Sequence, residues 1–243
     1  MLEKDIILLT PVKKTNLADL AVDEIRHVII GRNLLPGSCI GTERQMCRQL
    51  NVSRPILREA LSTLKAQGFI RVTSNGVVVN SMTPTTMIEP IEQVLDEDKE
   101  KIFELNEVRK ILESGMGALA IGRATAEDID SVQEALKNLE RSYLNGELGH
   151  KEDVQFHLRL AESSHNSIFI HVLHTVLDLF EKGTYLYRSG LISKPGNADI
   201  MMEQHRGICD AFLARNPERL SKAIVDHLTW SGNQLRDLSK QTA

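Results

Sequence analysis

The stretch that most restricts the fold is "NVSRPILREALSTLKAQGFIRVTSNGVVVN", residues 51–80. A Ser-Arg-Pro opening is followed by apolar residues at Leu57, Ala60, Leu61 and Leu64, the spacing of a helix with one buried face. Pro55 is compatible with that helix only in its first turn, where a missing N–H has no intrahelical partner to lose. Gly68 closes the run, and two β-rich pieces then flank Ser74-Asn75-Gly76. Asn-Gly between such pieces predicts a tight hairpin, with its tip at Asn75-Gly76. A capped helix followed at once by a hairpin leaves few architectures open.

The residues before it narrow them further. Leu17, Leu20, Ala21, Ile25, Val28 and Ile29 predict an amphipathic helix that ends at the turn "LLPGS". Thr42 with Gln45 has the capping-box pattern, and Met46 and Leu50 turn inward on the short helix it opens. "NVS" is a tight turn, with Ser53 as the next cap. Helix, short helix, capped helix and hairpin is the order of a winged helix-turn-helix. Residues 1–15 lack a period and are expected to form a loose arm.

Charge agrees with that architecture. Residues 1–80 hold 11 Lys/Arg against 7 Asp/Glu, a net +4, while residues 81–243 hold 18 against 26, a net −8. A basic module joined to an acidic one points to a polyanion for the first alone. Arg54, Arg58, Ser62 and Lys65 share the outer side of the third helix. A helix ~10–12 Å across fits a major groove ~12 Å wide, with its first residues towards the base edges. Those residues are Ser53, Arg54 and Pro55, with Arg58 one turn on.

The pattern "LLPGSCIGTERQMCRQLNVSRPILREALSTLKAQGFI" resembles the DNA-binding domain of the GntR superfamily of bacterial repressors. It has the family's Pro-Gly turn, its Glu-Arg at the second helix, its "VSR" turn and "REAL". The resemblance implies DNA contacts at Arg44, Ser53, Arg54, Arg58 and the wing Gly76. The sequence departs from the family in Pro55-Ile56, and in a wing, "TSNGVVVN", without the usual basic residue.

Residues 81–98, with Pro84, Pro90, threonines and acids, are placed as the linker. From residue 99 to the C-terminus the periodicity is helical almost throughout, so the fold class is mainly α: a winged helix-turn-helix over 1–80, then an antiparallel helical bundle over 99–243. Among eight histidines, three invite chemistry. Asp153 and His157 lie four apart on "EDVQFHLRLAE" and project from one face. If the helices around His205 and His227 form a hairpin at "RNPE", His205 is nine residues before Ala214 and His227 ten after Pro217. At ~1.5 Å per residue both lie about 14–15 Å from the turn, at one height. Spacing alone leaves two readings: a bundle metal site, or three unrelated histidines.

The acidic half is similar to the FCD ligand-binding domain of the FadR subfamily, through "DVQFHLRLAESSHNSIF", "EQHRGICDAF", "DHL" and "ELNEVRKILE". That resemblance implies that Asp153, His157, His205 and His227 ligate a divalent ion, with zinc expected and nickel or manganese as alternatives. It also implies that Arg109 pairs with an effector carboxylate, with Asn166 adding a polar contact. Without the resemblance, Arg109 reads as a surface ion pair with Glu113.

The leading functional reading is therefore a homodimeric, non-enzymatic transcriptional regulator, a repressor, that binds a pseudo-palindromic operator. It senses a small carboxylate or hydroxy-acid through its metal. The alternative is a metal-dependent hydrolase with an accessory DNA-binding module, for which Glu152 and Glu162 are the nearest candidate bases. A nucleoid-type binder would call for a more basic chain. Cys39, Cys47 and Cys209 lack CxxC spacing, Glu3, Lys4 and Asp5 stand where a signal peptide would need an apolar stretch, and no run approaches ~20 apolar residues. Together these point to the cytoplasm and away from a membrane.

Overall fold

The computed structural model describes residues 16–32, 34–81 and 85–242; the arm expected over 1–15 lies outside them. The N-terminal unit runs α1 (Leu17–Gly31), β1 (Cys39–Gly41), α2 (Glu43–Leu50), α3 (Arg54–Ala66), β2 (Ile70–Thr73) and β3 (Gly76–Val79). Ile29, Leu57, Ala60, Leu64 and Val77 close its core at 0% exposure. Leu17 and Leu20 face outward, and Ala18, Ala21, Val22 and Ile25 form the buried side of α1 instead.

The start and stop signals act as their chemistry requires. Thr42 and Gln45 form a reciprocal capping box on α2. Asn51 enters the left-handed region (φ 51), which an Asn tolerates, and so turns α2 into α3 within three residues. Gly68 (φ 78) ends α3: its N–H bonds the Lys65 carbonyl, and the Phe69 N–H reaches Leu64 O. That pair of bonds is a Schellman closure. Ser53 does occupy the N-cap position of α3, but its side chain makes no capping bond.

The wing differs from expectation in two respects. Thr73 pairs with Gly76, so the two-residue loop is Ser74-Asn75 and Gly76 already belongs to β3. The reason is packing: Gly76 has φ 133, and a Cβ there would come within 2.7 Å of Gly41 O. The second difference is β1, which pairs antiparallel with β3 and gives the sheet order β1-β3-β2. Three residues in a turn-rich stretch are too few for a period to show.

The segment placed as the linker carries a helix, α4 (Thr85–Glu97), which contains Pro90 and buries Leu95. The bundle follows: α5 (Lys101–Arg123), α6 (Ala126–Leu144), α7 (His150–Glu162), α8 (Ser167–Ser193), α9 (Asn197–Leu213) and α10 (Pro217–Thr242). One core gathers Met116, Phe156, Leu160, Leu177, Phe212 and Ile224. A second, nearer α4, gathers Leu95, Phe103, Phe180, Leu191 and Leu235. The helices α9 and α10 form the expected hairpin, turning at Ala214–Asn216, with Arg215 left-handed at φ 49. The Arg215 guanidinium donates to Ile121 O (2.7 Å) and Ala124 O (3.0 Å). Those carbonyls belong to the open C-terminal end of α5, so the hairpin is tied at a fixed height.

Candidate functional site

The histidines converge. Asp153 and His157 stand one turn apart on α7, His205 on α9 and His227 on α10, and all four are buried. One ligand atom from each lies within 4.8 Å of all the others. The His205 and His227 ring centroids are 4.4 Å apart, and His157 stacks on His227 at 5.4 Å.

Hydrogen bonds assign the tautomers. His205 Nδ1 lies 2.7 Å from Met201 O, a carbonyl that can only accept, so Nδ1 carries the proton. His227 Nδ1 donates in the same way to Gln204 Oε1 at 2.9 Å, and His157 Nδ1 meets Glu113 Oε2 at 2.5 Å. His205 and His227 therefore each offer a bare Nε2. His205 Nε2 stands 3.1 Å from Asp153 Oδ1, so two lone-pair acceptors face one another. Both nitrogens of His157, His205 Nε2, Asp153 Oδ1 and Glu113 Oε2 are buried without a hydrogen-bond partner. Imidazole nitrogens and a carboxylate oxygen that converge in this way match the donor set of a cation. Burial, reinforced by the neighbouring imidazoles, pushes His227 well below its usual range, and burial lowers His157. Neutral imidazole is the ligating form.

Carboxylates and arginines surround the cluster. Burial opposes ionisation of Glu113, but Arg109 and His157 outweigh it, and its carboxyl is lowered to about 2. Asp153 is likewise held well below the usual range, with Arg188 first and His205 second overcoming burial. Arg188 Nη2 lies 3.3 Å from Asp153 Oδ1 and donates to Tyr143 Oη at 2.9 Å. The Arg109–Glu113 pair exists, but as a fully buried one rather than a surface one. Its Nε is engaged by Glu113, while Nη2 is buried without a partner. Asn166 is the N-cap of α8, accepting from Phe169 N at 3.2 Å. Glu162 is paired with Arg159 at 2.6 Å.

Sequence reading missed Glu113, Arg188, Tyr143 and Gln204 as parts of this site. Gln204 is the residue before His205, and Glu113 is one turn from Arg109, so a helical projection of α5 and α9 would have found those two. Nothing local marks Arg188 or Tyr143, which arrive from α8 and α6.

In the N-terminal unit, Arg44, Ser53, Arg54 and Arg58 are all exposed on α2 and the start of α3. Arg58 makes an exposed pair with Glu43 at 3.1 Å. Such a pair contributes at most ~1 kcal/mol and is readily exchanged for a phosphate or base. Gly76 sits against Gly41 at the strand start rather than at the tip.

A winged helix-turn-helix carried on a helical bundle defines a DNA-binding transcriptional regulator with a helical second domain. The family models agree: residues 17–79 match "Bacterial regulatory proteins, gntR family" and residues 104–229 match the FCD domain. The chain belongs to the GntR family of bacterial transcriptional regulators, with an FCD domain as its second half. HTH-type transcriptional regulator LutR of Bacillus subtilis is 33% identical over 81% of this chain and 90% of that protein. A putative L-lactate dehydrogenase operon regulatory protein of Escherichia coli is 26% identical over 93% and 89% of the two chains. The Glc operon transcriptional activator of the same organism is 26% identical over 91% and 90%. A solved Streptococcus agalactiae GntR structure shares the fold, with TM-score 0.60 at 21% identity over 89% of this chain and 99% of that one. These relatives are regulators, not enzymes, and the hydrolase alternative is set aside. Among the described residues no helix is long and apolar enough to cross a membrane.

Proposed function

We propose that the C-terminal domain holds one divalent metal ion on Asp153, His157, His205 and His227, zinc foremost, and senses a small organic acid through it. The carrying observation is the convergence of a carboxylate with three buried imidazoles, one ligand atom from each of the four lying within 4.8 Å of the others and the Nδ1 atoms of His205 and His227 hydrogen-bonded. Nitrogen and oxygen donors of this kind suit zinc, nickel or manganese. Once bound, the ion would supply Lewis acidity towards a carboxylate or α-hydroxyl. The chain's own residues do the rest. Met201 O, Gln204 and Glu113 hold the rings in one tautomer and orientation. Arg109, with Nη2 unpartnered, takes the acid's other end. The names of two relatives fit an acid of this size, one an L-lactate dehydrogenase operon regulator and one a Glc operon activator.

At the other end, Arg54 and Arg58 read or clamp the operator, with Arg44 and Ser53 beside them and the Ser74-Asn75 loop near the backbone. One α3 spans only a few base pairs, so the protein acts as a two-fold dimer on an imperfect palindrome. It works in the cytoplasm as a repressor, the role carried in the name of a 26% identical relative, HTH-type transcriptional repressor NanR of Cronobacter sakazakii. The acid shifts DNA affinity only through its differential affinity for the two arrangements, a coupling of roughly 1–3 kcal/mol. Operator titrations of His205→Ala, His227→Ala and Arg109→Ala test this. The histidine variants should bind operator yet lose metal and response. Arg109→Ala should keep the metal and lose the response. A histidine double variant that responds normally places sensing elsewhere.

A further inference from the structure

We infer that Glu43 determines sequence specificity in the DNA reader: it positions the Arg58 guanidinium end-on to a guanine and keeps it from a phosphate. This rests on the reading of Arg58 as an operator contact and says which contact it makes. Glu43 is the first residue of α2, directly after the Thr42 cap, and Arg58 stands one turn past Arg54 on α3. Glu43 Oε2 accepts from Arg58 Nε at 3.1 Å, across the turn between the two helices. Both side chains rim a shallow dent together with Leu61, Ser62, Lys65 and Val72.

An acid in this position opposes DNA binding as such. It adds a negative charge beside Arg44, Arg54 and Arg58, on the face that approaches a polyanion. It contributes little to the fold either, because the Arg58 side chain is 70% exposed and that of Glu43 32%. Its effect is geometric. The carboxylate occupies Nε, and among the described residues no hydrogen bond or ion pair engages Arg58 Nη1 or Nη2. Those two nitrogens form a terminal fork that matches the O6 and N7 acceptors of guanine. Because only Nε is used, the fork meets the base while the pair stays made. A phosphate needs no such alignment, and Glu43 repels one that approaches the same side. Glu59, the acid of α3 itself, is turned to Asn16 at 3.1 Å and does not share this task.

The test is selection of duplexes from a random-sequence library by the full chain. Fluorescence anisotropy then follows on the selected duplex, its single-base variants and an unrelated duplex of equal length. Arg58→Ala identifies the base pair that Arg58 reads, as the position whose guanine preference disappears. Glu43→Ala should cut the preference at that same base pair about tenfold or more, the discrimination one bidentate contact provides. It should also bind the unrelated duplex more tightly, with a salt slope steeper by about one as Arg58 moves to a phosphate. Glu43→Gln keeps an acceptor for Nε and should retain most of the preference. A merely structural role would weaken all duplexes together. Uniform loss in Glu43→Ala, an unaltered guanine preference, or a change at a different base pair overturns this inference alone. An Arg58→Ala variant that keeps every base preference, or a wild type that selects none, overturns the reading of Arg58 and this inference with it.

Discussion

Replacing Glu113 by Ala should be among the most damaging single changes in the bundle. The side chain is 0% exposed, bridges Arg109 and His157, and has its carboxyl lowered from 4.5 to about 2. At ~1.4 kcal/mol per pH unit, that depression corresponds to about 3 kcal/mol of folding free energy at neutral pH. Removing one partner of a buried pair costs a similar ~3–5 kcal/mol, because Arg109 is left charged and unpaired. A carboxyl lowered on folding contributes fully above its unfolded value and loses that contribution as pH falls through the folded value. The gap between wild type and Glu113→Ala should thus be constant above about pH 5 and shrink towards pH 3. Urea unfolding of both proteins in EDTA, followed by far-ultraviolet circular dichroism at several pH values, measures it. A difference below about 1 kcal/mol at pH 7, or one that grows in acid, would refute the buried-bridge reasoning.

Arg54→Ala and Arg58→Ala should each weaken operator binding by ~1–3 kcal/mol if the guanidinium contacts a base, or flatten the salt slope if it contacts phosphate. Fluorescence anisotropy at two salt concentrations distinguishes these, and unchanged affinity in both variants would reject the interface. Gly76→Ala places a Cβ 2.7 Å from Gly41 O at φ 133, so the N-terminal unit should lose ~1–3 kcal/mol in thermal melts; an unchanged melt would show the wing tolerating a shift of β1. Metal retention should persist well below the ordinary histidine range near ~6.5, because burial keeps His157 and His227 neutral into acid. Dialysis against a pH series with metal analysis checks this, and half-loss at or above pH 6.5 would contradict it.

What could be read from sequence follows the range of the interaction involved. That Asp153, His157, His205 and His227 could converge was legible because an i, i+4 pair and a short-turn hairpin fix relative height, while their reading as ligands came from the family resemblance. The capping box at Thr42 and the stop at Gly68 were legible because they are closed within five residues. Arg188 on α8 and Tyr143 on α6 were not, because no local period records which helices pack together. Gly76 shows the same limit at small scale. Asn-Gly local preference placed it at the tip, but a tertiary contact with Gly41 moves the turn back by one residue. Helix α4 was obscured for a third reason: Pro84, Pro90 and the threonines around it carry loop statistics, while Leu95 gains enough by burial to hold the helix on the bundle.

The central claim is that four side chains from three helices form one metal site that serves sensing and not folding of the DNA reader. Elemental analysis of wild type and the His205→Ala/His227→Ala variant, each purified without chelator and equilibrated with zinc at neutral pH, measures it directly. The account predicts about one ion per chain in the wild type and essentially none in the variant, with operator affinity in the absence of acid alike in both. Wild type that holds no ion, or a variant that holds as much as wild type, contradicts it.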